Sequence, residues 1–452
     1  MRHGPYHDAR SSQSPHGPLS RRPTINHATG HQLVGSCLAA SIGFAVAIAF
    51  LFAIGIAAFG ELFARNLLRN RLQTFLTEFP VSTEDELHRF VNHHPLLGWE
   101  PRPTDEETPD TGHSKPQRQI LAKSSYRINR DGSRYCPPPN RSLGRTRIEF
   151  FGDSATFCRD VADNETYQYF LENDHGVGPT KNFGVGNYGI DQAFLRARDR
   201  MEGGGIAVME VTLSSIYRIV TVYKHYCEIG NHWAVKPRFL LDKQFGSLEL
   251  LERPILKREE LAELEIHQSF FREYDWFADD FLRFVGKPGW SHLKYLLGHD
   301  HMLAMAAKRI PMRTLRGGIN RGLSHLGKKP YRPHNDPIRL LEIASGEGGA
   351  IAARILKAFT SLAEQRGALP IIVLSPQGHL LHDEGVCGEI SRKLRDHFSD
   401  VGLDDALDFG DVLLGASESE RTRWRAYSTH LSPEGNRVKA EWLSDPIQSL
   451  VS

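Results

Sequence analysis

Short-spaced cysteine pairs are missing from this chain. Its 452 residues hold five cysteines, Cys37, Cys136, Cys158, Cys227 and Cys387, with no Cys-x-x-Cys and no histidine at zinc-like spacing. That excludes the common structural zinc patterns, and no metal or cofactor is implied. Bias toward one sign of charge is missing too. With 55 Lys and Arg against 54 Asp and Glu, the net charge is +1, so no global field draws the chain to nucleic acid. Charge arguments here are local. No internal repeat breaks the chain into units.

One stretch lacks charge altogether. From Gln32 to Gly60 there is no Asp, Glu, Lys or Arg, and Leu33 to Phe59 is almost wholly aliphatic and aromatic, enough for a helix across roughly 30 Å of hydrocarbon. A signal peptide is the competing reading, because Ala58-Phe59-Gly60 resembles a cleavage site, but signal cores usually run only about 7 to 15 residues. We read residues 32–60 as a single-pass transmembrane helix. The polar, His-, Arg- and Pro-rich residues 1–31 form a disordered tail, and residues 61–140 a stalk leading into the folded domain. Arg10, Arg21 and Arg22 on one side balance Arg65, Arg69 and Arg71 on the other, so charge leaves the orientation open.

After Arg147 the chain alternates short apolar runs with amphipathic stretches. Strands are expected at Ile148–Phe151, Asn182–Val185, Ile206–Val211, Pro370–Leu374 and Ala406–Phe409, with helices over 347–366, 384–399 and after Pro433. Asp191 is placed to cap a further helix carrying Phe194 and Leu195. This cadence predicts a parallel sheet covered by helices, with ligands beyond the carboxyl ends of the strands. Residues 213–345 break the rhythm and read as an insertion over that rim. Between Lys308 and Arg332 the insertion carries eight basic residues and no acid, which suits a solvated face or an anionic polymer or headgroup. His299-Asp300-His301 lacks an identifiable third ligand, so a solvated turn is the simpler reading.

Two short motifs carry chemistry. Phe151-Gly152-Asp153-Ser154 places a serine just past a strand, and Thr429-His430-Leu431-Ser432-Pro433 places a histidine just before a helix. A serine hydroxyl becomes a useful nucleophile only beside a base. Ser154 could instead cap a helix and His430 merely pack near the last one. Asp153 reads as a turn-holding residue, and Trp233, Trp276 and Trp290 as insertion core or, alternatively, a glycan-stacking surface.

Together these blocks resemble the SGNH hydrolases, also called GDSL esterases and lipases, over about residues 130–450 with the insertion poorly matched. Gly152-Asp153-Ser154 is similar to the first block, Asn182 to Gly189 to the second, and His430 with Pro433 and Gly435 to the last. Leu97-Gly98-Trp99 and Asn129-Arg130-Asp131-Gly132-Ser133-Arg134 stand where membrane-anchored bacterial members carry similar segments. No Gly-x-Ser-x-Gly elbow is present, since Ala155-Thr156 follow Ser154, which argues against an α/β-hydrolase fold.

The resemblance implies a three-layer α/β/α flavodoxin-like sandwich with a parallel sheet of about five strands, occupying residues 141–450 outside the cytoplasmic membrane. It implies Ser154 as nucleophile, His430 as base, and an oxyanion hole from the amides of Ser154 and Asn187, or of Gly189 if the alignment slips. Two usual partners are absent. Tyr427 stands where the acid three residues before the histidine is expected, leaving either a dyad or a substitute carboxylate, for which Asp408 and Asp411 are placed near the last strand. The third block, Val211-Thr212-Leu213-Ser214-Ser215, has no asparagine; one lost oxyanion donor costs about 2.7 to 4 kcal/mol, unless Thr212, Ser214 or Ser215 replaces it. Three functions follow: an esterase removing acyl groups, acetyl foremost, from a small molecule or glycan; an O-acyltransferase modifying an exported polysaccharide; or a catalytically silent binding module.

Overall fold

The computed structural model describes residues 28–68, 91–103, 108–109, 125–228, 235–242, 244, 246–254, 266–285, 336–376, 384–426 and 430–451. The basic run of 308–332, His299 to His301, Trp233, Trp290 and the tail up to residue 27 lie outside them. Two compact units divide the chain at Arg65.

The first unit holds all but the last three residues of helix α1 (Ala28–Leu68). Its stretch Ile42–Arg65, 24 residues with a mean hydropathy of 2.6, is long and apolar enough to cross a membrane. Phe44, Phe50, Phe52 and Phe59 stand exposed along it, an apolar surface that water penalises and lipid does not. The helix starts at Ala28, inside the expected tail, and continues past Gly60. Nothing from Glu61 to Leu68 stops it, because that segment has neither proline nor glycine.

The second unit is built on five parallel strands, β1 (Ile148–Phe151), β2 (Thr180–Asn182), β3 (Gly205–Val211), β4 (Ala368–Leu374) and β5 (Leu407–Asp408), in the order 2-1-3-4-5. Ile148 pairs with Thr180 on one side and Ile206 on the other, and β3 and β4 pair along their full lengths. Helix α2 (Tyr167–Phe170) lies between β1 and β2, α3 (Ile190–Arg200) between β2 and β3, α4 (Leu213–Arg218) and α5 (Glu347–Gln365) between β3 and β4, and α6 (Glu384–Ser399) between β4 and β5. Helices α7 (Phe409–Gly415) and α8 (Pro433–Val451) follow β5.

Side chains alternate across the sheet with the period of two that strands impose. Phe151, Ala207, Met209, Val211, Ile372 and Leu374 enter one core cluster with Leu195 of α3 and Ile351, Ile355 and Phe359 of α5. Ile148, Phe150, Ile206, Val208, Ile371 and Val373 enter another with Tyr167 and Phe170 of α2 and Leu443 and Ile447 of α8. Strands buried on both faces read as unbroken apolar runs, which is why Ile-Glu-Phe-Phe is legible as one.

Three details depart from expectation. Strand β2 lies at Thr180–Asn182 instead of 182–185; Phe183 and Val185 still donate to the Phe150 and Gly152 carbonyls, but the chain is already turning there. Gly189, not Asp191, is the first capping residue of α3. Asp191 is fully buried against Lys236, 2.5 Å away, so its carboxylate neutralises an ammonium. Finally, the described parts of 213–345 share the first core cluster: Ile216, Tyr223, Phe271, Phe281 and Ile343 are all buried in it.

In a 2-1-3-4-5 sheet the connections out of β1 and β3 run to opposite sides, leaving a crevice past their carboxyl ends. Ser154 follows β1 and Thr212 follows β3. The site belongs at this break.

Candidate active site

The turn after β1 is tight because Gly152 permits it. A Cβ there would come within 2.0 Å of the Thr156 hydroxyl and 3.0 Å of the Glu210 carbonyl. Asp153, buried, holds the turn: one carboxylate oxygen accepts from the Ala155 amide at 2.8 Å, the other from the Thr212 hydroxyl at 2.6 Å and Arg218 at 3.1 Å. Ser154 is thereby presented at the rim.

His430 reaches it from the chain segment before α8. Its Nε2 lies 2.9 Å from Ser154 Oγ and its Nδ1 lies 2.8 Å from Asp160 Oδ2. A serine, an imidazole and a carboxylate are thus lined up in hydrogen-bonding contact, as a relay of nucleophile, base and orienting acid requires. The histidine is held from both sides, since the Ala426 amide donates to its carbonyl and Ser432 donates to the Trp424 carbonyl. The Asp160 side chain is 2% exposed and that of His430 13%, so the acid is shielded while the base remains open to a ligand.

The carboxylate therefore comes from Asp160, and neither Asp408 nor Asp411 supplies it. Asp408 caps α7 by accepting from the Gly410 amide at 2.7 Å and pairs with Arg395 at 3.3 Å. Asp411 is an exposed side chain 3.9 Å from the same arginine. Asp160 does not lie three residues before the histidine, where the acid is expected, but just beyond the serine on the same connection. The one local sign is the acidic Arg159-Asp160-Val161-Ala162-Asp163 run.

This connection has an unusual backbone. Cys158 and Asp160 both have positive φ, 57° and 80°, which costs non-glycine residues some strain. Arg134 offsets it. Its buried guanidinium donates to the carbonyls of Phe157 at 2.6 Å, Cys158 at 2.8 Å and Val161 at 2.7 Å, and contacts Asp163 at 3.1 Å. Burial pushes the Asp163 carboxyl above its usual range, with Arg134 opposing.

The second block forms the facing wall. Asn182 donates to the Thr156 carbonyl at 2.8 Å and accepts from the Gly184 amide at 3.0 Å, tying the wall to the serine turn. Asn187 has φ of 70°, the left-handed conformation that asparagine tolerates best after glycine. Among the described residues, no hydrogen bond engages the N–H of Ser154 or Asn187. The Gly189 amide, in contrast, donates to Gln192 at 3.1 Å, so it is committed to capping α3 and not available as an oxyanion donor.

Leu97-Gly98-Trp99 braces this wall from a hairpin of Val91–His94 with Gly98–Pro101. Trp99 donates through Nε1 to the Gly186 carbonyl at 3.2 Å, and Tyr188 donates to the Trp99 carbonyl at 2.5 Å. The peptide whose N–H belongs to Asn187 is thus fixed at its oxygen end. Behind it, Lys224 donates to the Asn187 carbonyl at 3.2 Å and pairs with Glu228 at 2.9 Å. Burial pulls the Lys224 ammonium down to about 8, Glu228 opposing it and Arg218 adding to it.

Of the third-block hydroxyls, Thr212 donates to Asp153 and Ser215 to the Thr212 carbonyl at 2.7 Å. Both are spent on holding the turn. Ser214 is the one of the three for which no such bond exists among the described residues.

If the Asn187 amide is the working donor, its side chain is dispensable and its backbone angle is not. Asn187→Gly is expected to keep kcat for ester turnover, because glycine adopts positive φ freely. Asn187→Val is expected to lower kcat with KM little changed, since a β-branched residue resists that conformation. Equal rates in both would remove the amide from the reaction.

No established protein family and no curated protein matches the sequence. Among the solved structures that match, one crystal structure is similar over 68% of this chain and 99% of its own, at 11% identity and a TM-score of 0.31. A likeness that slight carries no argument, so function rests on the site itself.

Proposed function

We propose that this chain is a membrane-anchored serine ester hydrolase of the SGNH type. Its domain is a three-layer α/β/α flavodoxin-like sandwich, held outside the cytoplasmic membrane by α1 and acting on acyl esters of a small molecule or glycan. The observation that carries the reading is the Ser154–His430–Asp160 contact chain at the sheet's crevice. Its geometry is costly to assemble by accident, because a shielded carboxylate and a serine hydroxyl from one loop must meet opposite nitrogens of a ring carried on a distant segment.

In this mechanism Ser154 Oγ attacks the ester carbonyl carbon while His430 Nε2 takes its proton. Asp160 holds the Nδ1–H and steadies the imidazolium. The amides of Ser154 and Asn187 stabilise the developing oxyanion. Collapse breaks the bond to the alcohol, which leaves with the proton from His430, and the acyl group remains on Ser154. His430 then deprotonates a water that attacks the acyl-serine; the C–O bond to Ser154 breaks, and the proton returns to the hydroxyl.

An organophosphonate esterase probe tests this with the full-length chain in detergent. Covalent labelling of wild type and its loss in Ser154→Ala is the expected result. A folded wild-type chain that takes no label would overturn the proposal and favour a silent binding module.

A further inference from the structure

We infer that Arg134 is the positioning residue for the catalytic acid, a role that rests on the hydrolase reading above. Asp160 belongs to no regular element, and the segment around it runs through two backbone conformations that non-glycine side chains disfavour. Something must over-determine that shape. Arg134 supplies it with four contacts, to the carbonyls of Phe157, Cys158 and Val161 and to Asp163. These partners bracket Asp160 on both sides. The guanidinium gathers carbonyls that would otherwise point at one another, and the chain between them is left with its carboxylate facing His430.

Arg134 is itself fixed. Its side chain is 1% exposed, its amide donates to the Asn182 carbonyl at 2.7 Å, and its guanidinium lies 4.9 Å from the centre of the Phe157 ring. The Asn182 tie connects the acid's support to the sheet strand that opens the oxyanion wall. Asn129, Asp131 and Gly132 build the turn that delivers it: Ser133 donates to Asp131 at 2.6 Å, and Gly132 takes φ of 81°. The whole Asn129–Arg134 segment, which precedes β1, thereby becomes part of the site's support. Arg134 does not touch the reacting atoms; it acts through Asp160.

A lysine cannot replace it, because one ammonium cannot reach acceptors spread from Phe157 to Asp163 with the geometry of a planar fork. The test is a double-mutant cycle on the full-length chain, reading the phosphonate labelling rate together with kcat and KM for an activated acetyl ester. Arg134→Lys is expected to lower the labelling rate and kcat about 10²-fold, the effect of an ångström-scale misplacement, with KM unchanged. In an Asp160→Asn background the same change is expected to cost nothing further, since the acid it serves is already gone. A wild-type rate in Arg134→Lys, or losses that multiply across the cycle, would overturn the inference while leaving the hydrolase reading standing. An unlabelled, folded wild type would remove both. If Arg134→Lys does not fold, Asp163→Asn weakens one of the four contacts and keeps the other three. Its smaller loss should likewise vanish in the Asp160→Asn background, and equal losses in both backgrounds would sink the proposal.

Discussion

Ser154→Ala is expected to lower kcat about 10⁶-fold, and Asp160→Asn about 10⁴-fold, in turnover of an activated acetyl ester. The two numbers differ for a reason visible in the site. Alanine removes the nucleophile, so only oxyanion stabilisation and binding remain. Asparagine keeps the shape of Asp160 and its buried position, but its amide can donate to His430 Nδ1. That favours the tautomer with the proton on Nε2, the nitrogen 2.9 Å from Ser154, which then cannot accept from the hydroxyl. Asp408→Asn is the matched control. It preserves the cap on α7, where the carboxylate oxygen accepts from Gly410, and is expected to leave kcat unchanged. Reversal of these two aspartate effects would return the acid's role to the end of β5.

The second large effect is on stability. Lys439→Met is expected to destabilise the second unit by roughly 3 to 5 kcal/mol, the usual cost of leaving one charge of a buried pair without its partner. Lys439 of α8 pairs with Glu210 of β3, and both side chains are 1% exposed. Glu210 also accepts from Thr156 at 2.9 Å and Tyr167 at 3.0 Å. Adding Glu210→Met is expected to recover part of the loss by removing the stranded charge. Recovery stays partial, because the hydroxyls of Thr156 and Tyr167 then lose their acceptor, at about 1 to 3 kcal/mol for each buried group left unsatisfied. Urea unfolding followed by tryptophan fluorescence reads both variants. A midpoint for Lys439→Met equal to that of wild type would show that the pair contributes nothing.

The three central strands were legible because each is a compact apolar run, and burial on both faces demands that composition locally; the edge strands β2, Thr-Lys-Asn, and β5, Leu-Asp, are short and half-exposed and carry no such signal. Ser154 and His430 were legible for a similar reason, since each sits in a short motif at the end of one element. Asp160 was not. Its function depends on where a loop with two positive-φ residues points, and that direction is set by Arg134 from outside the loop. The 213–345 segment reads as an insertion over the rim, and in its described parts Tyr223, Phe271 and Phe281 fill the same core as the strands. Asp191 shows the limit of capping rules: it sits inside the first turn, where one carboxylate oxygen accepts from the Gln192 amide at 2.8 Å while the other pairs with the buried Lys236.

Ser154 and Asp160 ride on one short connection, whereas His430 arrives on a separate segment leading into α8. The three-residue relay is therefore a two-body assembly. Serine and acid keep their spacing through any motion that carries their loop as a unit, and one docking coordinate, that of the histidine segment, decides whether the relay is closed. Gradual loosening of that segment would open the contact chain without dismantling either half.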